Sequence, residues 1–172
     1  MADDWNRRYR GRIVDVDVER VTLPNGESAD LEVVRHPGGA AVVALDDADR
    51  VCLLRQYRHA VGDWLWELPA GKLEPNEPPM ATARRELQEE AGVMAATWTP
   101  LGEVVSSPGV FTEVIHLFAA RGLSFGAADT EAHEVLEVHW VPVAEALEWA
   151  RDGTIRDAKT LAGLCRLESH GR

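Results

Sequence analysis

The sequence predicts an α/β or α+β sandwich, in which strands flanked by helices enclose one core. Half-polar, alternating segments occupy roughly the first 38 residues, and two almost wholly apolar runs follow. Beyond them, strand-like and helix-like segments succeed one another. A chain of 172 residues is long enough to bury a sizeable core. Its composition, 45% hydrophobic and 27% charged, is that of a globular protein.

The elements follow in order. "RIVDVDVERVTL" and "SADLEVVRH" alternate around the turn "PNGE" and predict a small antiparallel sheet over residues 1–38. A sheet of this size is marginal alone, so it is expected to lean on the rest of the chain or on a second copy. "AAVVAL" and "VCLLRQYR", joined by the acidic turn "DDADR", predict a deeply buried hairpin. "DWLWELPAGKL" reads as extended. A helix is expected from Pro79 to Ala91, with proline tolerated in its first turn and Gly92 stopping it; Met80, Ala83, Leu87 and Ala91 form its core stripe. "TWTPLGEVVSS", "EVIHLFAA" and "EVLEVHWVPV" are strand candidates, with "SSPGVFTE" and "GLSFGAADTEAHE" as loops between them. "VAEALEWARDG" and "DAKTLAGLCRLESH" supply two more helices.

The net charge of −11 argues against a nucleic-acid partner. No run reaches the ~18 apolar residues of a membrane span, and the start "MADDWNRRYRGR" lacks the apolar segment of a secretory signal. Cys52 and Cys165 lack metal or redox spacing and read as two buried small hydrophobes, which makes a reducing cytoplasm the expected setting.

The chemistry is concentrated in the first helix. Glu86, Glu89 and Glu90 fall at i, i+3 and i+4, so their like charges share one side. Such a run is most often an ordinary solvated face. Here Leu87 and Ala91 draw the adjacent face into the core, and Arg85 lies one turn before Glu89. A hard divalent cation offsets the repulsion such a cluster suffers, and it takes oxygen ligands together with substrate phosphates.

The spacing separates the two readings. Gly71, Glu77, Arg85, Glu86, Leu87, Glu89, Glu90, Gly92 and Val93 match every specified position of G-x5-E-x7-R-E-U-x-E-E-x-G-U, with U aliphatic. A chance match has odds on the order of 10^-8 at average residue usage. The sequence therefore resembles the Nudix hydrolase family. The resemblance implies a three-layer α/β/α sandwich with a mixed sheet over residues 39–172, preceded by the small N-terminal antiparallel sheet of residues 1–38. It also implies Mg2+-dependent hydrolysis, with Mn2+ as a substitute, of a nucleoside diphosphate linked to another group. Carried over, Glu86 and Glu90 are the main metal ligands, Glu89 shares or supports them, and the Ala70 carbonyl adds another. Gly71, Glu77, Arg85 and Gly92 are structural.

"RQYRHAVGDWLWELPAGKLE" and Pro108, which lies 15 residues past Val93, resemble the ADP-ribose pyrophosphatase branch. The implied products are AMP and ribose 5-phosphate. Enzymes cleaving GDP-mannose or other nucleotide sugars share these features, and a nucleotide-binding sensor is the non-catalytic alternative. Arg58 is the candidate phosphate contact, since a guanidinium matches phosphate bidentately; otherwise it is a surface arginine at a strand end. Glu67 and Glu113 are candidates for substrate hydrogen bonds or for bonds to backbone, and Pro108 and Gly109 complete the substrate set. Trp5, Tyr9, Trp64 and Trp66 are candidates to stack a base, whereas Trp98, Trp140 and Trp149 are assigned to core packing. The branch takes its general base from an acidic loop before the last strand, which offers Glu134 first, as base or extra metal ligand, and Glu131 second; His133 reads as a solvated histidine. A homodimer through the N-terminal sheet is also expected, with Trp5 or Arg35 reaching the other chain's site.

Overall fold

The structure, a computed structural model, describes residues 5–130 and 134–169. Strands β1 (Trp5–Arg10), β2 (Asp15–Thr22) and β3 (Ser28–Arg35) form an antiparallel sheet of their own in the order β1-β2-β3. It meets the rest of the chain at the end of β3. There Val34 donates its N–H to the Val110 carbonyl at 2.7 Å and accepts from the Thr112 N–H at 3.0 Å.

Two further sheets build the main body. Strands β4 (Gly39–Ala44), β7 (Ala70–Lys72), β8 (Val93–Val105) and β9 (Val114–Phe125) lie in the order β7-β4-β9-β8. The sheet is mixed, because β4 runs parallel to β9 and antiparallel to β7. Strands β5 (Arg50–Arg58), β6 (Asp63–Glu67) and β10 (Leu136–Pro142) form a sheet in the order β10-β5-β6. Side chains alternate across β4. Ala41, Val43 and Leu45 join a core with Ala146 and Leu147 of α2 (Val143–Asp152) and Leu164 and Leu167 of α3 (Ala158–Ser169). Ala40, Val42 and Ala44 join a second core with Ala83 and Leu87 of α1 (Pro79–Ala91). Helices thus cover both faces of the sheet, giving the expected three layers.

Three expectations need correction, and one strand carried no expectation. The apolar runs at 40–45 and 51–58 are not a hairpin: among the described residues they share a single isolated bridge, Leu45–Val51, and β4 and β5 lie in different sheets. Each is apolar on both faces and finds partners distant in sequence, β9 and β7 for β4 and β10 and β6 for β5. The polar run "WNRRYR" is a strand, because pairing with β2 satisfies its backbone and Arg7 reaches Asp17 at 3.2 Å. The segment 122–125, read as loop, continues β9 and pairs with the start of β8. Cys52 is buried, but Cys165 is exposed, because it lies on the outer face of α3.

Two glycines stop helices in the left-handed conformation, Gly92 after α1 (φ 66°) and Gly153 after α2 (φ 86°). They differ in surroundings. A Cβ on Gly92 would meet the Gly126 carbonyl oxygen at 2.7 Å and the Ala128 nitrogen at 2.8 Å, whereas one on Gly153 would meet nothing within 4 Å. Gly153→Ala is expected to lose about 1–2 kcal/mol, the left-handed backbone cost alone. Gly92→Ala is expected to lose clearly more, because the 126–128 backbone must move as well. Urea unfolding of both variants checks this, and equal losses would mean that the loop yields freely.

Candidate functional site

The site is built where the start of β7 meets the last turns of α1. The turn between them is held by one guanidinium. Arg85 donates Nε to Glu77 Oε1 at 3.1 Å and Nη2 to Glu77 Oε2 at 3.0 Å, a bidentate pair. Its Nη1 donates to Glu86 Oε1 at 2.6 Å and to Glu89 Oε2 at 3.0 Å, and Nη2 also reaches the Lys72 carbonyl at 3.3 Å. Glu77 additionally accepts from the Thr82 hydroxyl at 2.8 Å. Arg85, first of all, holds the Glu77 carboxyl down to about 2. These carboxylates in turn raise the Arg85 pKa further.

Glu86 and Glu90 are buried, while the Glu89 side chain is 43% exposed beside Arg85. Glu86 lies directly over Gly71, where any Cβ would meet its Oε1 at 1.9 Å, so the approach requires glycine. Glu90 Oε2 accepts the Ala70 N–H at 2.8 Å. Burial raises both pKa values, that of Glu90 to about 8. The Ala70 N–H opposes the rise at Glu90, and repulsion from Glu86 and Glu134 adds to it. Arg85 opposes the rise at Glu86, where Glu89 and Glu134 add. Glu134, from the segment before β10, therefore faces the same carboxylates. Its neighbour Val135 is tied to β5 by the Tyr57 N–H at 3.0 Å. Glu131 and His133 lie outside the described residues, as does the Trp5 side chain.

Among the described residues no three carboxylate, histidine or cysteine groups are drawn together into a ready cage. Glu86 and Glu90 instead present two carboxyl side chains beside the Ala70–Gly71 backbone. This donor set fits a hard cation that takes one or two carboxylates and completes its shell with water and phosphate. It does not suit a soft metal, since Cys52 is buried in the α1-side core and its thiol is pushed up to about 12.

Next to this cluster, Arg58 forms a two-point pair with Glu67, Nε to Oε1 and Nη2 to Oε2, both at 2.7 Å. Lys159 Nζ donates to the same carboxylate. Sequence reasoning missed Lys159, 92 positions from Glu67. The one local signal was Asp157, which caps α3 by accepting the Thr160 N–H at 3.0 Å and places Lys159 in its first turn. Glu113 lies 3.3 Å from His36 Nδ1, and that ring packs on Phe111. Pro108 and Gly109 are exposed in the loop that pairs with the end of β3. Trp66 packs against Trp149 with ring centres 5.0 Å apart, whereas Trp64 and Tyr9 are exposed. Trp98 and Trp140 pack against the α1-side core. Arg35 pairs with Glu19 and, at 3.5 Å, with Asp17. It also lines a cleft of about 900 Å3 between the N-terminal sheet and the 72–77 turn.

The pKa shifts set a pH dependence. Glu90 sits higher in the fold than its ordinary 4.5, so its contribution is present below about 4.5 and is lost as pH rises towards about 8. Glu77 is shifted down, so its contribution is lost only on acidification below 4.5 and stays constant in that window. In chelator, the melting temperature of the parent chain should therefore fall relative to that of Glu90→Gln between pH 5.5 and 8.5. Parallel pH profiles would show that Glu90 does not carry the effect.

The NUDIX domain family matches residues 35–164. A protein of Bacillus methanolicus named methanol dehydrogenase activator is 38% identical over 162 residues, 93% of this chain and 88% of that one. An ADP-ribose pyrophosphatase of Bacillus subtilis is 38% identical over 154 residues, covering 88% and 83%. A GDP-mannose pyrophosphatase of Cronobacter sakazakii is 38% identical over 164 residues, covering 83% of each. The fold is also that of a solved structure titled an ADP compounds hydrolase, with a TM-score of 0.83 at 22% identity, covering 97% of this chain and 91% of that one. With the box residues gathered at the mouth of α1 and the match spanning most of its length, the chain belongs to the NUDIX domain family and is a hydrolase of that family.

Proposed function

We propose that this chain hydrolyses the pyrophosphate of ADP-ribose, or of a related ADP-sugar, to AMP and ribose 5-phosphate. The observation that carries the reading is the buried Glu86–Glu90 pair at the end of α1, in a chain 38% identical to an ADP-ribose pyrophosphatase. Mg2+, with Mn2+ as a substitute, would be held by Glu86 and Glu90, with Glu89 and the Ala70 carbonyl in support. Such an ion neutralises phosphate charge and activates water. Arg58 binds the phosphates, and Glu67 holds its guanidinium in plane. Glu134, with Glu131 as second candidate, takes the proton from the attacking water. Pro108, Gly109 and Glu113 border the substrate, and Gly71, Glu77, Arg85 and Gly92 keep the frame. The GDP-mannose pyrophosphatase relative supports a second reading, in which the reaction stays and the nucleotide sugar changes. Two free cysteines suit a reducing cytoplasm.

Incubation of the chain with ADP-ribose should release AMP with Mg2+ and none in chelator, as read by chromatography. Glu90→Gln should lower turnover at least about 100-fold, since it removes charge stabilisation from the transition state. Near-normal turnover by that variant would sink the metal role, and faster cleavage of GDP-mannose would transfer the assignment to the second reading.

A homodimer through the N-terminal sheet, residues 1–38, is part of the proposal. Tyr9, Ile13 and Leu31 are exposed there, which supports a partner surface. Light scattering at micromolar concentration should give twice the 19.0 kDa chain mass, and a monomeric mass would remove the dimer.

A further inference from the structure

Away from α1, one buried carboxylate serves two cations. Glu67 is 1% exposed, and both of its oxygens are taken by Arg58 Nε and Nη2, with Lys159 Nζ also on Oε2. Lys159 is itself nearly buried, at 12% side-chain exposure, whereas the Arg58 side chain is 39% exposed. Arg58 Nη1 makes no hydrogen bond among the described residues, so that edge of the guanidinium stays open. Glu67 lies three residues before Ala70, whose N–H is on Glu90, and Tyr57, next to Arg58, donates its N–H to Val135 beside Glu134, which places Arg58 beside the carboxylate cluster.

Arg58, Lys159, Glu67 and Asp157 together balance in charge, so what Lys159 adds is geometry. Asp157 Oδ2 caps α3 through the Thr160 N–H and hydroxyl at 3.0 and 2.6 Å, and its Oδ1 accepts from Lys159 at 3.1 Å. Anchored there, Lys159 fixes the plane of the Glu67 carboxylate and with it the direction of the Arg58 guanidinium.

We infer that Lys159 is a positioning residue: by sharing Glu67 it holds the carboxylate plane that Arg58 grips, and so directs the open Nη1 edge of Arg58 towards the pyrophosphate of the substrate. Lys159 acts through Arg58 and does not touch the anion. The inference rests on the nucleotide-sugar reading above for its substrate and on the Glu67 geometry for its mechanism.

The test is a double-mutant cycle read by calorimetry in chelator, so that nothing turns over, with inorganic pyrophosphate and ADP-ribose as separate probes. Lys159→Met should weaken both about tenfold, the scale of one charge-assisted hydrogen bond, and Lys159→Arg should restore them. In an Arg58→Met background, Lys159→Met should add nothing. A purely structural role would lower the melting temperature of Lys159→Met and leave affinity unchanged, which overturns the inference. Equal weakening in both backgrounds overturns it too, since Lys159 would then act on its own. Binding of pyrophosphate without ADP-ribose refutes the nucleotide-sugar reading and leaves the Lys159 role to be decided by the pyrophosphate cycle. Failure of the parent chain to bind either probe in chelator overturns the inference, since Arg58 would then hold no anion without the ion, while the nucleotide-sugar reading is decided separately by AMP release with Mg2+.

Discussion

Burying two carboxyl groups side by side is the constraint around which this molecule is arranged. Glu86 and Glu90 lie one turn apart on α1 and are both removed from water. An isolated buried carboxylate is strongly unfavourable, and a pair is worse. Arg85 and the Ala70 N–H supply the compensation inside the chain, and burial still leaves Glu90 far above its ordinary pKa.

That compensation needs a fixed frame, and the fold supplies it from both sides. Leu87 and Ala83 lock α1 onto β4 through the second core. The approach of Glu86 to the bare Cα of Gly71 sets the spacing between helix and strand. Gly92 ends the helix and admits the 126–128 backbone against it, with the Gly126 N–H on the Gly92 carbonyl at 2.7 Å and the Asp129 N–H on the Glu89 carbonyl at 2.9 Å. The segment leading towards Glu134 thus begins on the same helix that carries Glu86 and Glu90. On the opposite layer, Asp157 and Thr160 grip the end of β6, with the Leu68 N–H on the Thr160 hydroxyl at 2.9 Å, and bring Lys159 to Glu67.

The helix bounds, the glycine stop at Gly92 and the approach of Arg85 to Glu89 were legible in the sequence. Each depends on residues within about two turns or one short loop, where helical geometry dictates who meets whom. The strand partners were not legible. "AAVVAL" and "VCLLRQYR" look like neighbours because the turn between them is short, yet strands apolar on both faces can pair with any similar strand, and sequence order does not rank the choices. "WNRRYR" was missed for the opposite reason, since its polar side chains hide a backbone that pairs with β2.

By itself, then, the sequence determined the local machinery: the carboxylate spacing, the arginine that braces it, the helix that carries it, and the family through nine residues in a fixed pattern. Only the tertiary structure decided which charges became buried and who shares them. Glu90 meets Ala70 across 20 positions, and Glu67 meets Lys159 across 92. Such pairings follow from which strands lie side by side and which helix covers them. They are set by burial of the whole core, so no short stretch of the chain contains them.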